Sequence, residues 1–134
     1  MIKNMIVEEV MIPFESVPTL NINSLFKEAI DKMNQNGLGI VCITNEENIL
    51  KGIITDGDIR RNIIKVQKPF SALFVDDAIN HAILNPITTE PETFLKDAVD
   101  LMEKKQIWDL PVIDRNKKII GLLHLHQAVK ILLK

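Results

Sequence analysis

A single cysteine, Cys42, in 134 residues excludes an internal disulfide and fits a reducing compartment. There is no excess of positive charge: 16 Lys and Arg against 18 Asp and Glu leave a net charge of −2. That balance offers no basic field to nucleic acid or to an anionic membrane. No apolar run approaches the roughly 20 residues needed to span a bilayer. Glu8, Glu9 and Glu15 interrupt the first 20 residues, so no signal peptide is expected and the chain reads as cytoplasmic. Nearly half the residues are apolar and a quarter charged, the balance of one soluble globular unit able to bury a core.

What the chain does have is repetition. Residues 19–64 register on residues 88–133 without a gap, at an offset of 69, the separation of Gly52 and Gly121. Thr19 falls on Thr88, Lys27 on Lys96, Ala29 on Ala98, Asp31 on Asp100 and Met33 on Met102. Apolar positions match too, as in Ile43 with Val112 and Ile54 with Leu123. The lead-ins Val7 to Met11 and Val75 to Ile79 echo each other one residue out of step. A repeat fixes architecture ahead of any local reading, and two copies suit a pseudo-twofold pair rather than a solenoid.

Each copy reads as helix, strand, strand, helix. In the first, Ser24 is placed to cap a helix over 25–36 whose apolar stripe is Phe26, Ile30 and Met33. Asn36-Gly37 ends it, and Ile40 to Thr44 and Ile49 to Thr55 form a hairpin across the turn residues 45–48. A second helix follows to about Lys65. In the second copy Thr93 is placed to cap a helix over 94–106, strands cover Leu110 to Asp114 and Ile119 to Leu123, and a helix closes the chain. The expected division is 1–66, a linker 67–74 punctuated by Pro69, and 75–134. The fold class is α+β. A lone hairpin with two short helices leaves one sheet face bare, so the copies are expected to pack about a pseudo-dyad.

The segment Gly52 to Arg61 carries the chemistry. It runs strand into turn into helix, bringing a hydroxyl (Thr55), uncommitted helix amides and a carboxylate (Asp58) to one place. Helix N-termini seat phosphates, and a carboxylate suits vicinal ribose hydroxyls. Thr55-x-x-Asp58 is equally a capping box, and taken alone that structural role is the commoner one. Arg60 and Arg61 diverge by about 100° around a helix, so at most one faces the site.

Both copies resemble CBS motifs, and the whole chain resembles a tandem CBS pair, or Bateman module. The resemblance is carried by Val10-Met11, Pro18-Thr19-Leu20 and Gly52-Ile53-Ile54-Thr55-Asp56-Gly57-Asp58 in the first copy, and by Asn85 to Thr88, Leu110 to Asp114 and Gly121 in the second. It implies that Thr55 and Asp58 hold the phosphate and ribose of an adenine nucleotide. It further implies that the base lies near Val41 to Ile43 and that the loop at Thr19 closes the pocket. The stretch Thr55 to Arg61, with Leu122 to His126, is similar to the C-terminal CBS pair of arabinose-5-phosphate isomerases, enzymes of the pathway to the lipopolysaccharide sugar Kdo. The effector implied is then a nucleotide-activated sugar such as CMP-Kdo. CBS pairs of sugar nucleotidyltransferases carry a similar TDGDIRR stretch and are the alternative parent.

The second copy departs from the pattern, with His124 in place of Thr55 and Gln127 in place of Asp58. Its imidazoles, His124 and His126, suit an anionic sugar acid or phosphate, or serve merely as a helix cap and a surface residue. The candidate ligand-binding set is therefore Thr19, Val41, Ile43, Thr55, Asp56, Asp58, Arg60, Arg61, Thr88, Pro111, His124 and His126. No catalytic residue, metal site or resident cofactor is expected. Cys42 reads as a core thiol, and Trp108 as a core or dimer contact. Expected partners are a nucleotide or nucleotide-sugar effector, an attached or associated enzyme domain and, by the resemblance, a second copy of the chain. An enzyme and a structural dimerisation module with empty clefts are the competing readings.

Overall fold

The computed structural model describes residues 4–133. The expected motif ends at 1 and 134 lie outside the described residues. The elements, in order, are β1 (Ile12–Pro13), β2 (Thr19–Asn21), α1 (Phe26–Asn36), β3 (Ile40–Thr44), β4 (Leu50–Thr55), α2 (Asp56–Val66), α3 (Phe70–Phe74), β5 (Ile83–Leu84), α4 (Leu95–Lys105), β6 (Asp109–Ile113), β7 (Ile119–His124) and α5 (Leu125–Leu132). Short 3-10 turns at Val7–Glu9, Phe14–Ser16 and Ala78–His81 join them. The fold is α+β, with two separate sheets.

Two compact units emerge. The central unit is Pro18–Pro86, and the terminal unit joins the residues up to Val17 to those from Ile87 onward. The units thus do not follow the repeats: each lead-in belongs to the unit of the other copy. In the terminal unit β1 pairs antiparallel with β7, Ile12 opposite Leu122 and Pro13 opposite Gly121. In the central unit β5 pairs with β4, Gly52 opposite Leu84 and Ile53 opposite Ile83.

The central sheet runs β2-β3-β4-β5. Its middle strand β3 is buried at every position, as a strand covered on both faces must be, and its apolar run Ile40-Val41-Cys42-Ile43 follows from that. Against it pack Phe26, Ala29 and Met33 of α1, spaced to share one helix face. Gly37 ends α1 at φ 67, the left-handed conformation in which glycine carries no Cβ penalty. Asn45 accepts the Glu47 and Ile49 amides through Oδ1, which forms the hairpin turn.

The terminal sheet runs β1-β7-β6. Leu95, Ala98, Val99 and Met102 of α4 share a core with Leu110, Val112 and Leu123. Asp114 plays Asn45's part, accepting the Asn116 and Lys118 amides.

Two capping expectations are corrected. Neither Ser24 nor Thr93 caps a helix; the cap positions are Leu25 and Phe94, without a side-chain cap. Glu28 instead reaches back to the Leu25 amide at 2.6 Å. Ser24 and Thr93 serve through their backbone, their carbonyls accepting the Ala78 and Val7 amides of the exchanged lead-ins. The expected linker is not irregular throughout, since Phe70–Phe74 forms α3, with Phe70 and Phe74 stacked at 6.0 Å.

Candidate ligand site

In the central unit, β4 delivers Thr55 to the start of α2, and the capping box closes in full. Thr55 Oγ1 accepts the Asp58 amide at 3.3 Å. In return Asp58 Oδ2 accepts the Thr55 amide and the Thr55 hydroxyl, each at 2.9 Å. The other carboxylate oxygen, Oδ1, accepts from Arg61 Nη2 at 2.9 Å. Asp58 is buried although charged, 7% exposed. A buried carboxylate is tolerated when its oxygens are bonded and a cation lies beside it, as both conditions hold here.

The predicted residues separate into groups. Thr55, Asp58 and Arg61 form one cluster. Arg60 points elsewhere: with Asp56 it lines a groove of about 660 Å3 between α1 and α2, shared with Asp31, Gly39 and Ile63. The two arginines thus diverge as the helix geometry requires. Neither Thr55 nor Asp58 lines that groove. Thr19 is half-buried in β2, paired in parallel with Cys42 of β3 rather than in a closing loop. Val41 and Ile43 are fully buried in the core beside Phe26. Their side chains present no surface to a base, because both faces of β3 are already packed.

The terminal unit holds the rest. Thr88 lines a second groove of about 660 Å3 with Thr89, Thr93, Asp97 and Lys117. Pro111 is buried in β6, its carbonyl accepting the Thr89 amide. His124 occupies the cap position of α5, but its ring does not cap the helix; Nδ1 lies 2.8 Å from Asp109 Oδ1, on the directly opposed residue of β6. His126 is exposed. Trp108 is 69% exposed and is no core residue of this chain. Asp109 escaped sequence reading. The signal was present: Asp109 breaks the apolar match to Ile40 at the same sheet position where His124 replaces Thr55.

A second polar cluster, also missed, steadies the lead-in packed beside α2. His81 Nε2 lies 2.9 Å from Asp76 Oδ2 and Nδ1 lies 3.2 Å from Asn62 Oδ1. Asn62 donates to the Asp58 carbonyl at 2.8 Å, which fixes the orientation of its amide. Lys68 Nζ holds both Asp76 oxygens, at 3.0 and 2.9 Å. Lys68 foremost, and then His81, keep the Asp76 carboxyl below its ordinary value. Phe26 closes over the His81 ring at 4.7 Å. Among the described residues no buried side-chain nitrogen or oxygen lacks a partner, and no group of three or more His, Cys, Asp or Glu is placed to hold a metal ion. Among them, too, no helix is long and apolar enough to cross a membrane.

A sheet hairpin feeding a helix is built twice, with a side-chain cap only on the first, and the chain belongs to the CBS domain family, whose profile matches residues 7–65 and 75–134. Among its relatives is an uncharacterized protein of Rickettsia prowazekii, 33% identical over 92% of this chain and 36% of the relative. Another is the arabinose 5-phosphate isomerase GutQ of Salmonella typhi, 28% identical over 83% of this chain and 33% of the enzyme. The chain therefore spans about a third of the length of these relatives. Among solved structures it resembles the CBS-pair protein CBSX2 of Arabidopsis thaliana in complex with AMP, with a TM-score of 0.85 and 21% identity over 96% of each chain.

Proposed function

We propose that this chain is a ligand-sensing regulatory CBS pair that binds a nucleotide or nucleotide-sugar at the Thr55–Asp58 turn and governs a sugar-phosphate isomerase. The observation that carries the proposal is Asp58: a buried carboxylate at a helix start, one oxygen locked internally and the other held only by a solvent-exposed arginine. A ribose diol exchanging for that arginine would keep the carboxylate bonded. Kinship to arabinose 5-phosphate isomerases supports the enzyme partner, and the AMP complex of a protein of the same fold supports the ligand class. With a parent of this kind, a pathway end product such as CMP-Kdo is the natural effector. The chain then acts as a binding module rather than a catalyst, works as a homodimer, and shifts its enzyme only as far as the effector prefers one state over the other.

The completeness of the capping box and the His124–Asp109 pair favour a second reading, a structural module whose turns are satisfied without any ligand. Titration calorimetry with AMP, ATP and CMP-sugars separates the two. Binding at 100 times the dissociation constant would stabilise the chain by about 2.7 kcal/mol, a rise of several degrees in the melting midpoint. Asp58→Ala should weaken binding at least about tenfold, through loss of hydrogen bonds to a charged group. It should also cost about 1 kcal/mol of stability, since Asp58 anchors the start of α2. Unaltered affinity in that variant would remove Asp58 from the site, and an unmoved midpoint with every compound would leave the structural reading.

A further inference from the structure

We infer that Arg61 is a built-in competitor for the site, occupying the Asp58 oxygen that a ribose must claim and then passing to the phosphate of the ligand that displaces it. This rests on the nucleotide reading above and makes Arg61 the residue that discriminates nucleotides from nucleosides. Three observations support it. Asp58 Oδ2 is already saturated, accepting the amide and hydroxyl of Thr55. Oδ1 has one acceptor site left, enough for a single hydroxyl; a ribose diol needs two, and the second is held by Arg61 Nη2 at 2.9 Å. The two partners differ sharply in exposure: the Asp58 side chain is 9% exposed and that of Arg61 is 61%. The carboxylate is fixed and its cation is loose.

The third observation is the place of the guanidinium. A Cβ added at Gly57 would lie 2.9 Å from Arg61 Nη2 and 3.0 Å from Nη1. The guanidinium thus lies across the first turn of α2, in the space that Gly57 leaves empty, where a phosphate drawn to the helix amides would arrive. The pair is exposed on its arginine side, so a displaced guanidinium passes into water at little cost, while the buried carboxylate needs the incoming hydroxyls in its place. Once displaced, the planar fork meets a phosphate bidentately. A nucleoside has to expel the arginine and offers it nothing in return; a nucleotide both expels and re-engages it. The terminal unit lacks the device, since Gln127 and Lys130 stand at the equivalent positions.

The test measures adenosine and AMP affinities by calorimetry for the wild-type chain, Arg61→Ala and Arg61→Lys, with circular dichroism confirming that each variant folds. In Arg61→Ala adenosine should bind about two- to fivefold more tightly, because the competitor is gone. AMP should bind about tenfold more weakly relative to adenosine than it does in the wild type. Arg61→Lys, which keeps the charge but loses the fork, should fall between the two. If the wild type binds AMP while Arg61→Ala leaves the preference for AMP over adenosine unchanged, the role of Arg61 is overturned and the nucleotide reading survives. If the wild type binds neither compound, both fall together.

Discussion

The central and terminal units are the same hairpin drawn twice, and their differences are concentrated at the edges. Ile40 faces Thr55 as Asp109 faces His124, and the irregularity after Ile43 recurs after Val112. The left-handed residue of the hairpin turn is Asn48 in one and Lys117 in the other, both at φ 64. Three substitutions then drive the copies apart. Cys42 donates its amide to the Pro18 carbonyl and holds β2 as a parallel strand; Pro111, its counterpart, has no amide to give, and the terminal unit keeps only an isolated Thr89–Val112 bridge. Thr55 caps α2, whereas His124 turns to Asp109 and leaves α5 without a side-chain cap. Asp58, the buried acid, becomes Gln127, an exposed amide. Both copies share the register and the core, and the capping box of Thr55 and Asp58 belongs to the central unit alone.

A large expected break in this likeness lies at the equivalent glycines. A Cβ on Gly121 would come within 2.7 Å of the Ile12 carbonyl and 2.5 Å of Met11 Sδ, whereas at Gly52 the nearest atom, the Ile83 carbonyl, is 3.0 Å away. Gly121→Ala should cost about 2–3 kcal/mol and Gly52→Ala about 1 kcal/mol, both through overpacking. Urea unfolding of the two variants checks this, and equal costs would mean that the two lead-ins sit equally close.

The proline tests the parallel edge. Cys42→Pro removes the amide, sets the ring against the Pro18 carbonyl and leaves that buried carbonyl unpaired, at a cost of about 3 kcal/mol. In the opposite direction, Pro111→Ala should change stability little, since a regained hydrogen bond of about 1 kcal/mol offsets the lost stiffening of the unfolded chain. Its signature is a newly protected amide at position 111 in hydrogen exchange. Fast exchange there would show that more than the proline keeps this edge open.

The smallest expected effect belongs to the Asp76 cluster, which the terminal unit does not repeat, having exposed Glu8 at the matching place. The folded-state value of Asp76 is depressed, so its contribution is fully present above the ordinary value of 3.8 and is lost as the pH falls through the lower folded-state value. Asp76→Asn should flatten the loss of stability as the pH falls below the ordinary value of 3.8, while leaving the terminal unit's amide protection as it was. An unchanged acid limb in urea midpoints would assign the loss to other carboxylates.

Much of this was legible in the sequence. The repeat offset is a property of the sequence itself, and β3, β4, α2 and the capping box are marked by apolar runs, turn residues and caps close along the chain, where periodicity and turn chemistry suffice. What escaped depends on distant partners. β1 and β5 are two residues long, and nothing in Ile12-Pro13 or Ile83-Leu84 marks them as strands; they pair with Gly121-Leu122 and Gly52-Ile53. Ser24 and Thr93 look like caps, yet each lies at a seam where a lead-in's backbone takes its carbonyl. His81 draws no attention along the chain, because its partners Asn62 and Phe26 lie far off in sequence and meet it only in the fold. In the candidate site, Thr55 and Asp58 could be named beforehand, while the occupancy of Asp58 Oδ1 by Arg61 needed side-chain positions.

The exchanged lead-ins bear on how such a chain can be cut or built. A break near Pro69 would yield two fragments, each carrying the border strand that completes the other's sheet and lacking its own. Neither would be a finished half, so a single repeat is not a folding unit. An ancestor with one repeat would have had to borrow that strand from a second molecule, and joining two such genes end to end would have made the loan permanent.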